Sequence, residues 1–190
     1  MKKENRFLME TKFKEIIGVI GAGTMGAGIA QVAAQSGYRV VLSDTNPQQL
    51  QFAQAQIEKS LGRLVEKGKI TTEKSNEIVN NLNYTTQLSE HSEASLVIEA
   101  IVENLAIKHQ VFQQLEQAVS PKCILASNTS SLSIASIGAC LADPSRFLGI
   151  HFFNPATLMP LVEVIPGVAT AVQHIEQIEQ LITAWNKSVV

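Results

Sequence analysis

The amino-acid sequence predicts an α/β fold, in which helices cover both faces of a doubly wound, mainly parallel sheet. Short β-branched runs alternate along the chain with longer segments of helical periodicity, the pattern of βαβ units. The first run leads into glycines spaced as G-x-G-x-x-G and then into a helical segment. With 190 residues, 45% of them hydrophobic, the chain is long enough for one sizeable core.

Composition argues against several functional classes. A net charge of −2 gives no general attraction to nucleic acid or an anionic membrane, and no apolar run reaches the roughly 18 residues that span a bilayer. Cys123 and Cys140 lack metal-ligand spacing, so we interpret them as buried free thiols and predict no metal site. Residues 1–14 resemble a polar extension rather than a secretory signal, so a cytoplasmic location is expected.

The first predicted strand, over residues 16–20, ends in a turn typical of dinucleotide-binding loops. Gly21 permits the tight turn, Gly23 leaves room for a pyrophosphate, and Gly26 lets the helix approach the strand. The phosphates would lie at the helix N-terminus, where free N–H groups favour negative charge. For this motif alone, a glycine-rich turn without a ligand is the alternative. The candidate cofactor-binding residues here are Gly21, Ala22, Gly23, Thr24, Met25 and Gly26.

The second predicted strand, over residues 39–43, leads to a candidate ribose ligand. Asp44 follows this strand, where such folds place the carboxylate that accepts hydrogen bonds from the adenosine ribose. A carboxylate would also repel a 2′-phosphate, so NAD is favoured over NADP. The alternative is an ordinary turn acid before Asn46 and Pro47.

Residues 47–80 are predicted to form a helical hairpin that projects from the domain. Asn46 and Pro47 have the residue types of a helix start, and Gly68 ends the first helix. A second amphipathic helix follows over residues 71–80. The basic turn containing Lys67 and Lys69 is either simply solvated or a phosphate contact.

The remaining alternation predicts strands at residues 81–86, 95–100, 123–126 and 146–150, with helices at 105–119 and 133–141. The segments 101–104 and 127–131 each follow a strand, at the sheet edge where open α/β folds bind ligands. For the five small polar residues at 127–131, a plain polar turn is the alternative.

The late segment carries a candidate catalytic pair. His151 ends a strand, and Glu163 lies inside the apolar strand 161–165, where an unpartnered carboxylate would be costly to bury. The intervening residues suffice for a turn and a return strand that bring the two side chains together. A histidine paired with a carboxylate is a suitable proton acceptor in alcohol oxidation. The alternative is a structural histidine with an unrelated glutamate.

Five segments in this order resemble the NAD-binding domain of the 3-hydroxyacyl-CoA dehydrogenases, and the similarity covers residues 14–190. It is greatest to the bacterial 3-hydroxybutyryl-CoA and 3-hydroxyadipyl-CoA dehydrogenases. The resemblance implies a Rossmann-type domain over residues 15–190, with NAD as cofactor. It also implies oxidation of a (3S)-3-hydroxyacyl-CoA to a 3-oxoacyl-CoA in fatty acid or aromatic-acid degradation. The segments are residues 21–30, 99–104, 127–131, 151–155 and 161–164.

In that family a C-terminal helical domain closes over the acyl chain and makes much of the dimer contact. No such domain is present in this sequence, so the chain alone is expected to be weakly active or inactive. A homodimer is expected for the full-length protein.

The resemblance also implies roles for single residues. His151 would take the hydroxyl proton while hydride passes from C3 of the substrate to NAD, and Glu163 would orient the imidazole. Ser130 would hydrogen-bond the substrate oxygen near the nicotinamide. The other implied positions are Asp44, Glu103, Lys108, Ser130 and Asn154 for the cofactor, and Ser60, Lys67 and Ser130 for coenzyme A.

Two other functions stay open at this point. A non-catalytic NAD-binding protein, like the lens crystallin related to this family, would have no reason to keep His151, Glu163 and Ser130 together. A sugar-acid or hydroxyisobutyrate dehydrogenase would require a catalytic lysine or cysteine that the late segment lacks. Pro160 stands where family members often carry lysine, and we expect this departure to alter the mouth of the site.

Overall fold

The structure, a computed structural model, describes residues 15–190 and confirms the predicted α/β class. The predicted extension over residues 1–14 lies outside the described part of the chain. The strands are β1 (Ile16–Ile20), β2 (Arg39–Ser43), β3 (Leu82–Thr85), β4 (Ala94–Glu99), β5 (Ile124–Ser127), β6 (Phe147–Phe152), β7 (Leu161–Pro166) and β8 (Ser188–Val189). The helices are α1 (Thr24–Gln35), α2 (Pro47–Glu66), α3 (Thr72–Asn80), α4 (Leu105–Ala118), α5 (Ile134–Gly138) and α6 (Val172–Ala184).

All eight strands form one sheet in the order β3-β2-β1-β4-β5-β6-β7-β8. Strands β1 to β6 pair in parallel, β7 runs antiparallel to β6, and β8 is parallel to β7. The chain leaves β1 towards one edge and returns to place β4 on its other side. The strand order therefore reverses between β1 and β4, and this reversal opens a crevice at their carboxyl ends.

Helices cover both faces of the sheet, so the doubly wound prediction is confirmed. On one face, α1, α2 and α6 bury apolar residues such as Ile29, Ile57 and Ile178. On the other face, α4 and α5 bury Phe112 and Ile137 in a second cluster. No helix among residues 15–190 has the length and apolar character needed to cross a membrane.

The predicted hairpin consists of α2, α3 and the turn between them. The Asn46 side chain accepts a hydrogen bond from the Gln48 amide and caps α2, with Pro47 in the first turn. The buried residues of α2 end at Leu61, and α3 buries only Ile78 among its nine residues. The far end of the hairpin therefore stands clear of the core.

Three local predictions need correction. Helix α6 was not predicted, and its N-cap Ala171 makes no side-chain cap hydrogen bond that would have marked its start. The helix predicted at 133–141 is only α5, which ends at Gly138, where a Cβ would lie 2.8 Å from the Phe147 ring. Cys140 is half-buried rather than buried, since it lies in that turn. Cys123, directly before β5, is buried as predicted, and this burial raises the pKa of its thiol to about 12.

Candidate active site

The glycine loop after β1 has the geometry that its spacing predicted. Gly21 has φ of 95°, and its N–H donates to the Ser43 carbonyl at 2.7 Å. A Cβ on Gly26 would lie 1.7 Å from the Gly21 carbonyl oxygen, so only glycine lets α1 pack this close. A Cβ on Gly23 would meet no atom within 4 Å, so this backbone faces open space.

Asp44 is tied to the same loop. Its Oδ2 accepts from the Ala22 N–H at 2.8 Å, and its Oδ1 accepts from the Asn46 N–H at 2.9 Å. The Gln49 side-chain Nε2 donates to the Ala22 carbonyl at 3.0 Å, so both the N–H and the carbonyl of Ala22 are hydrogen-bonded. Each carboxylate oxygen keeps a second lone pair, and a ribose hydroxyl can therefore still donate to it.

A cleft of about 710 Å³ lies between the glycine loop and the loop after β4. Its lining includes Gly23 and Asp44, together with an apolar wall containing Ile101, Val102 and Ile107. Val102 is 61% exposed, as expected for a side chain that a flat aromatic ring can cover. The open backbone, the carboxylate and the apolar wall together fit an adenine dinucleotide.

His151 and Glu163 face each other across the antiparallel pairing of β6 with β7. The His151 Nδ1 lies 2.7 Å from Glu163 Oε2, and Nε2 lies 3.0 Å from Ser130 Oγ. A carboxylate accepts only from a protonated ring nitrogen, so Nδ1 carries the hydrogen. In the neutral ring, Nε2 is therefore the free base and points towards Ser130.

Glu103 joins the loops that follow β4 and β5. Its carboxylate accepts from the Ser130 N–H at 2.8 Å and from the Thr129 hydroxyl at 2.9 Å, and Lys108 Nζ lies 3.4 Å away. Partial burial opposes ionisation, but these two donors and the Lys108 ammonium outweigh it and hold the pKa of Glu103 below its ordinary value. The carboxylate is thus charged near neutral pH.

Lys108 lies inside the protein rather than on the surface of the cleft. Its side chain is 1% exposed, and Nζ donates to Glu99 Oε1 at 2.6 Å. It belongs to one connected network with Glu103, Ser130 and His151. Among residues 15–190, no group of three or more His, Cys, Asp or Glu side chains is placed to hold a metal ion.

The other residues singled out in the sequence lie apart from this network. Asn154 is exposed in the loop after β6, next to a cis peptide bond with Pro155. Ser60 is half-buried on α2, where its hydroxyl accepts from the Gln31 side chain at 3.1 Å. Lys67 is exposed at the end of α2. These three residues remain predictions.

Three supporting residues were not found from the sequence. Glu99 ends the apolar strand β4, and an acid in such a run was the one available signal. Asn128 Oδ1 accepts from the Phe152 N–H at 2.8 Å and ties the 127–131 loop to β6. Lys187 Nζ donates to the carbonyls of Ala156 and Met159 at 2.6 and 2.7 Å, and partial burial lowers its pKa. No local pattern marks the last two.

Two relatives show how the chain compares with known proteins. A probable 3-hydroxybutyryl-CoA dehydrogenase of Deinococcus radiodurans is 51% identical over 154 residues, which are 81% of this chain and 55% of that protein. The 3-hydroxyadipyl-CoA dehydrogenase of Escherichia coli is 43% identical over 173 residues, 91% of this chain and 36% of that protein. The chain spans about half the length of these relatives, or less.

A solved structure of a protein with a related name matches nearly the whole chain. The (S)-3-hydroxybutyryl-CoA dehydrogenase of Ralstonia eutropha matches with a TM-score of 0.91 at 36% identity, covering 93% of this chain and 62% of that one. The family model described as 3-hydroxyacyl-CoA dehydrogenase, NAD binding domain, matches residues 16–190. This match confirms NAD as the cofactor. The chain belongs to the 3-hydroxyacyl-CoA dehydrogenase family and corresponds to its NAD-binding domain.

Proposed function

We propose that the chain supplies the cofactor site and the proton-transfer residues of an NAD-dependent 3-hydroxyacyl-CoA dehydrogenase. The substrate would be a (3S)-3-hydroxyacyl-CoA and the product a 3-oxoacyl-CoA, in fatty acid or aromatic-acid degradation. The observation that carries the proposal is His151 near the carboxyl end of β6, held at 2.7 Å by Glu163 and at 3.0 Å by Ser130.

The residues divide the chemistry between them. Bound NAD supplies the acceptor for the hydride that leaves C3 of the substrate. His151 Nε2 takes the hydroxyl proton as the C3–O bond becomes a carbonyl. Glu163 stabilises the imidazolium that forms, because its carboxylate accepts from Nδ1. With substrate bound, the Ser130 hydroxyl would turn from His151 Nε2 and donate to the substrate oxygen, where negative charge develops as the proton leaves.

The hairpin is the proposed contact for coenzyme A. Lys67 and Lys69 lie exposed on its turn, clear of the core, where an ammonium group can reach a phosphate. Ser60 lies about two helical turns before Lys67 on α2 and would contribute a hydroxyl to the same ligand. We also propose a cytoplasmic location, and a homodimer for the longer protein, on the basis of composition and family resemblance respectively.

A cofactor titration of this chain tests the proposal. NADH should bind, as followed by its fluorescence, and NADPH should bind at least about tenfold more weakly because Asp44 repels the 2′-phosphate. Equal affinity for the two would contradict the role of Asp44. In the longer protein, NAD-dependent oxidation of 3-hydroxybutyryl-CoA should be measurable, and its absence would favour a non-catalytic NAD-binding protein.

A further inference from the structure

A buried carboxylate lies beneath the candidate site without a role in the proposed chemistry. Glu99, the last residue of β4, is fully buried. Lys108 Nζ and the Ile101 N–H donate to its Oε1 at 2.6 and 2.7 Å, and Ser127 Oγ donates to its Oε2 at 2.7 Å. The carboxylate thus has donors from three separate segments, and these donors offset the cost of its burial.

Two of these bonds act on the segment that carries Glu103. The bond to the Ile101 N–H fixes the start of the 101–104 loop. The bond to Lys108 holds an ammonium group whose other carboxylate partner is Glu103, at 3.4 Å. Glu99 therefore constrains the position of the Glu103 carboxylate through both the backbone and a side chain.

The 127–131 loop, which carries Ser130, is also hydrogen-bonded to Glu99. The Glu99 carbonyl accepts from the Asn128 N–H at 2.7 Å, next to the Ser127 hydroxyl bond. The Ser130 N–H donates to Glu103 Oε1 at 2.8 Å on an exposed stretch of backbone. The geometry of Ser130 thus depends on where the Glu103 carboxylate is held.

We propose that Glu99 is a positioning residue for this site: through Lys108 and Ile101 it holds Glu103 where that carboxylate receives the Ser130 amide. Glu99 is too deeply buried to touch substrate or cofactor, so it acts only through these neighbours. The placement of Ser130 beside His151 follows from this support. The identity of the ligand bound at this site rests on the proposed function, whereas the positioning of Ser130 by Glu99 can be measured without any ligand.

Stability alone does not account for the arrangement. A buried ion pair stabilises the fold little more than an apolar pair of similar volume would, although removal of one partner leaves an uncompensated charge. The chain also offers a comparison pair, because Glu116 lies 3.5 Å from the buried Arg146 and accepts from the amides of Ala142 and Asp143. That pair joins α4 to the segment before β6, and none of these bonds reaches the loops at the site.

Amide hydrogen exchange of this chain without ligand tests the proposal, with Glu99→Gln as the variant and Glu116→Gln as the matched control. Glu99→Gln should lower the protection of the Ser130 amide about tenfold relative to the amides of the β1–β2 ladder, the loss expected for one charge-assisted hydrogen bond. Glu116→Gln should leave this ratio unchanged. If Glu99→Gln does not fold, Glu99→Gln with Lys108→Met removes both charges and should give the same selective loss.

An unchanged Ser130 ratio in the variant, or an equal loss in the Glu116→Gln control, would overturn the proposal. A purely structural Glu99 would lower protection across the ladder without singling out Ser130. NADH titration of the same proteins should show weaker binding for the Glu99 variant only. If the unmodified chain bound no NADH, the proposed function would fail, while the exchange data would still decide the role of Glu99.

Discussion

Among single residues, His151 and Glu163 offer the most direct test of the proposed proton transfer by substitution. In a protein that joins this chain to the remaining part of its 3-hydroxyacyl-CoA dehydrogenase relatives, His151→Ala should lower kcat by at least about a hundredfold, since a positioned general base contributes that much or more. NADH affinity should stay within twofold, because the imidazole lies outside the adenosine part of the cleft. Initial rates of NADH formation and a fluorescence titration give the two values.

His174→Ala is the matched control for this prediction, because the side-chain hydrogen bond of His174 goes to Gln177 on α6 and not to any residue of the site. This control should keep full activity. Loss of both turnover and NADH binding in His151→Ala would instead identify His151 as a structural residue.

Asp44 carries a prediction about cofactor choice. Asp44→Asn keeps a carbonyl oxygen for one of the two backbone donors, Ala22 and Asn46, but removes the negative charge. The preference for NADH over NADPH should therefore fall by about tenfold, the effect of removing one charge repulsion next to the 2′-phosphate. Paired titrations measure the ratio, with Asp143→Asn as a control at a remote turn. An unchanged ratio would show that discrimination comes from elsewhere in the cleft.

The sequence predicted single site residues where a side chain is chemically unusual for its surroundings. Glu163 stood out because an acid inside an apolar strand needs a partner, and His151 was the nearest suitable group. Lys187 and Asn128 could not be found in this way, because their partners are backbone groups that only the folded chain brings near. The double use of Asp44, as a clamp on Ala22 and a candidate ribose ligand, was hidden for the same reason.

At the scale of elements, the loop between β6 and β7 depends on a distant lysine. Lys187→Met keeps the apolar stem but leaves the carbonyls of Ala156 and Met159 without their ammonium donor. We expect a loss of about 1–3 kcal/mol in the free energy of unfolding, because both bonds are charge-assisted. Urea denaturation measures this loss, and amide exchange at Leu158 and Met159 should become faster.

The exposed Lys122 provides the control for this loop. Lys122→Met should change neither the stability nor the exchange of the loop amides. Equal effects from both substitutions would indicate a general consequence of removing a positive charge rather than the loss of the Lys187 tie.

The elements themselves differ in how well the sequence predicted them. Strands β1, β2 and β4 were predicted because each is a short run rich in Ile, Val and Leu, and α2 because Asn46 and Pro47 mark its start. Helix α6 was missed because its start lacks a capping side chain. The antiparallel return of β7 was only one possibility, since periodicity alone does not set strand direction.

At the scale of the whole molecule, His91 makes stability depend on pH. It is fully buried against Gly18, with Nε2 2.9 Å from Ser43 Oγ and Nδ1 without a partner among the described residues. Burial lowers its pKa from 6.5 to about 4. Between these values the unfolded chain binds more protons than the folded one, so stability should fall as pH falls from 6.5 towards 4, by up to about 3 kcal/mol.

Urea denaturation at pH 7 and pH 4.5 measures this effect. His91→Gln keeps a side chain that can hydrogen-bond Ser43 but does not titrate, so its stability should change less over the same interval. Equal slopes for the variant and the unmodified protein would show that other groups dominate acid unfolding.

The direct pairing of His151 with Glu163 across β6 and β7 also limits which changes in chain length can keep the two side chains together. The strand ladder fixes this pair, and a slip of one residue would turn Glu163 to the opposite face of the sheet. Residues 153–160 close this hairpin, and Leu158 is 76% exposed there. A one-residue insertion or deletion within β6 or β7 would therefore separate the proton-transfer pair, whereas a substitution of the exposed Leu158 leaves the ladder in place.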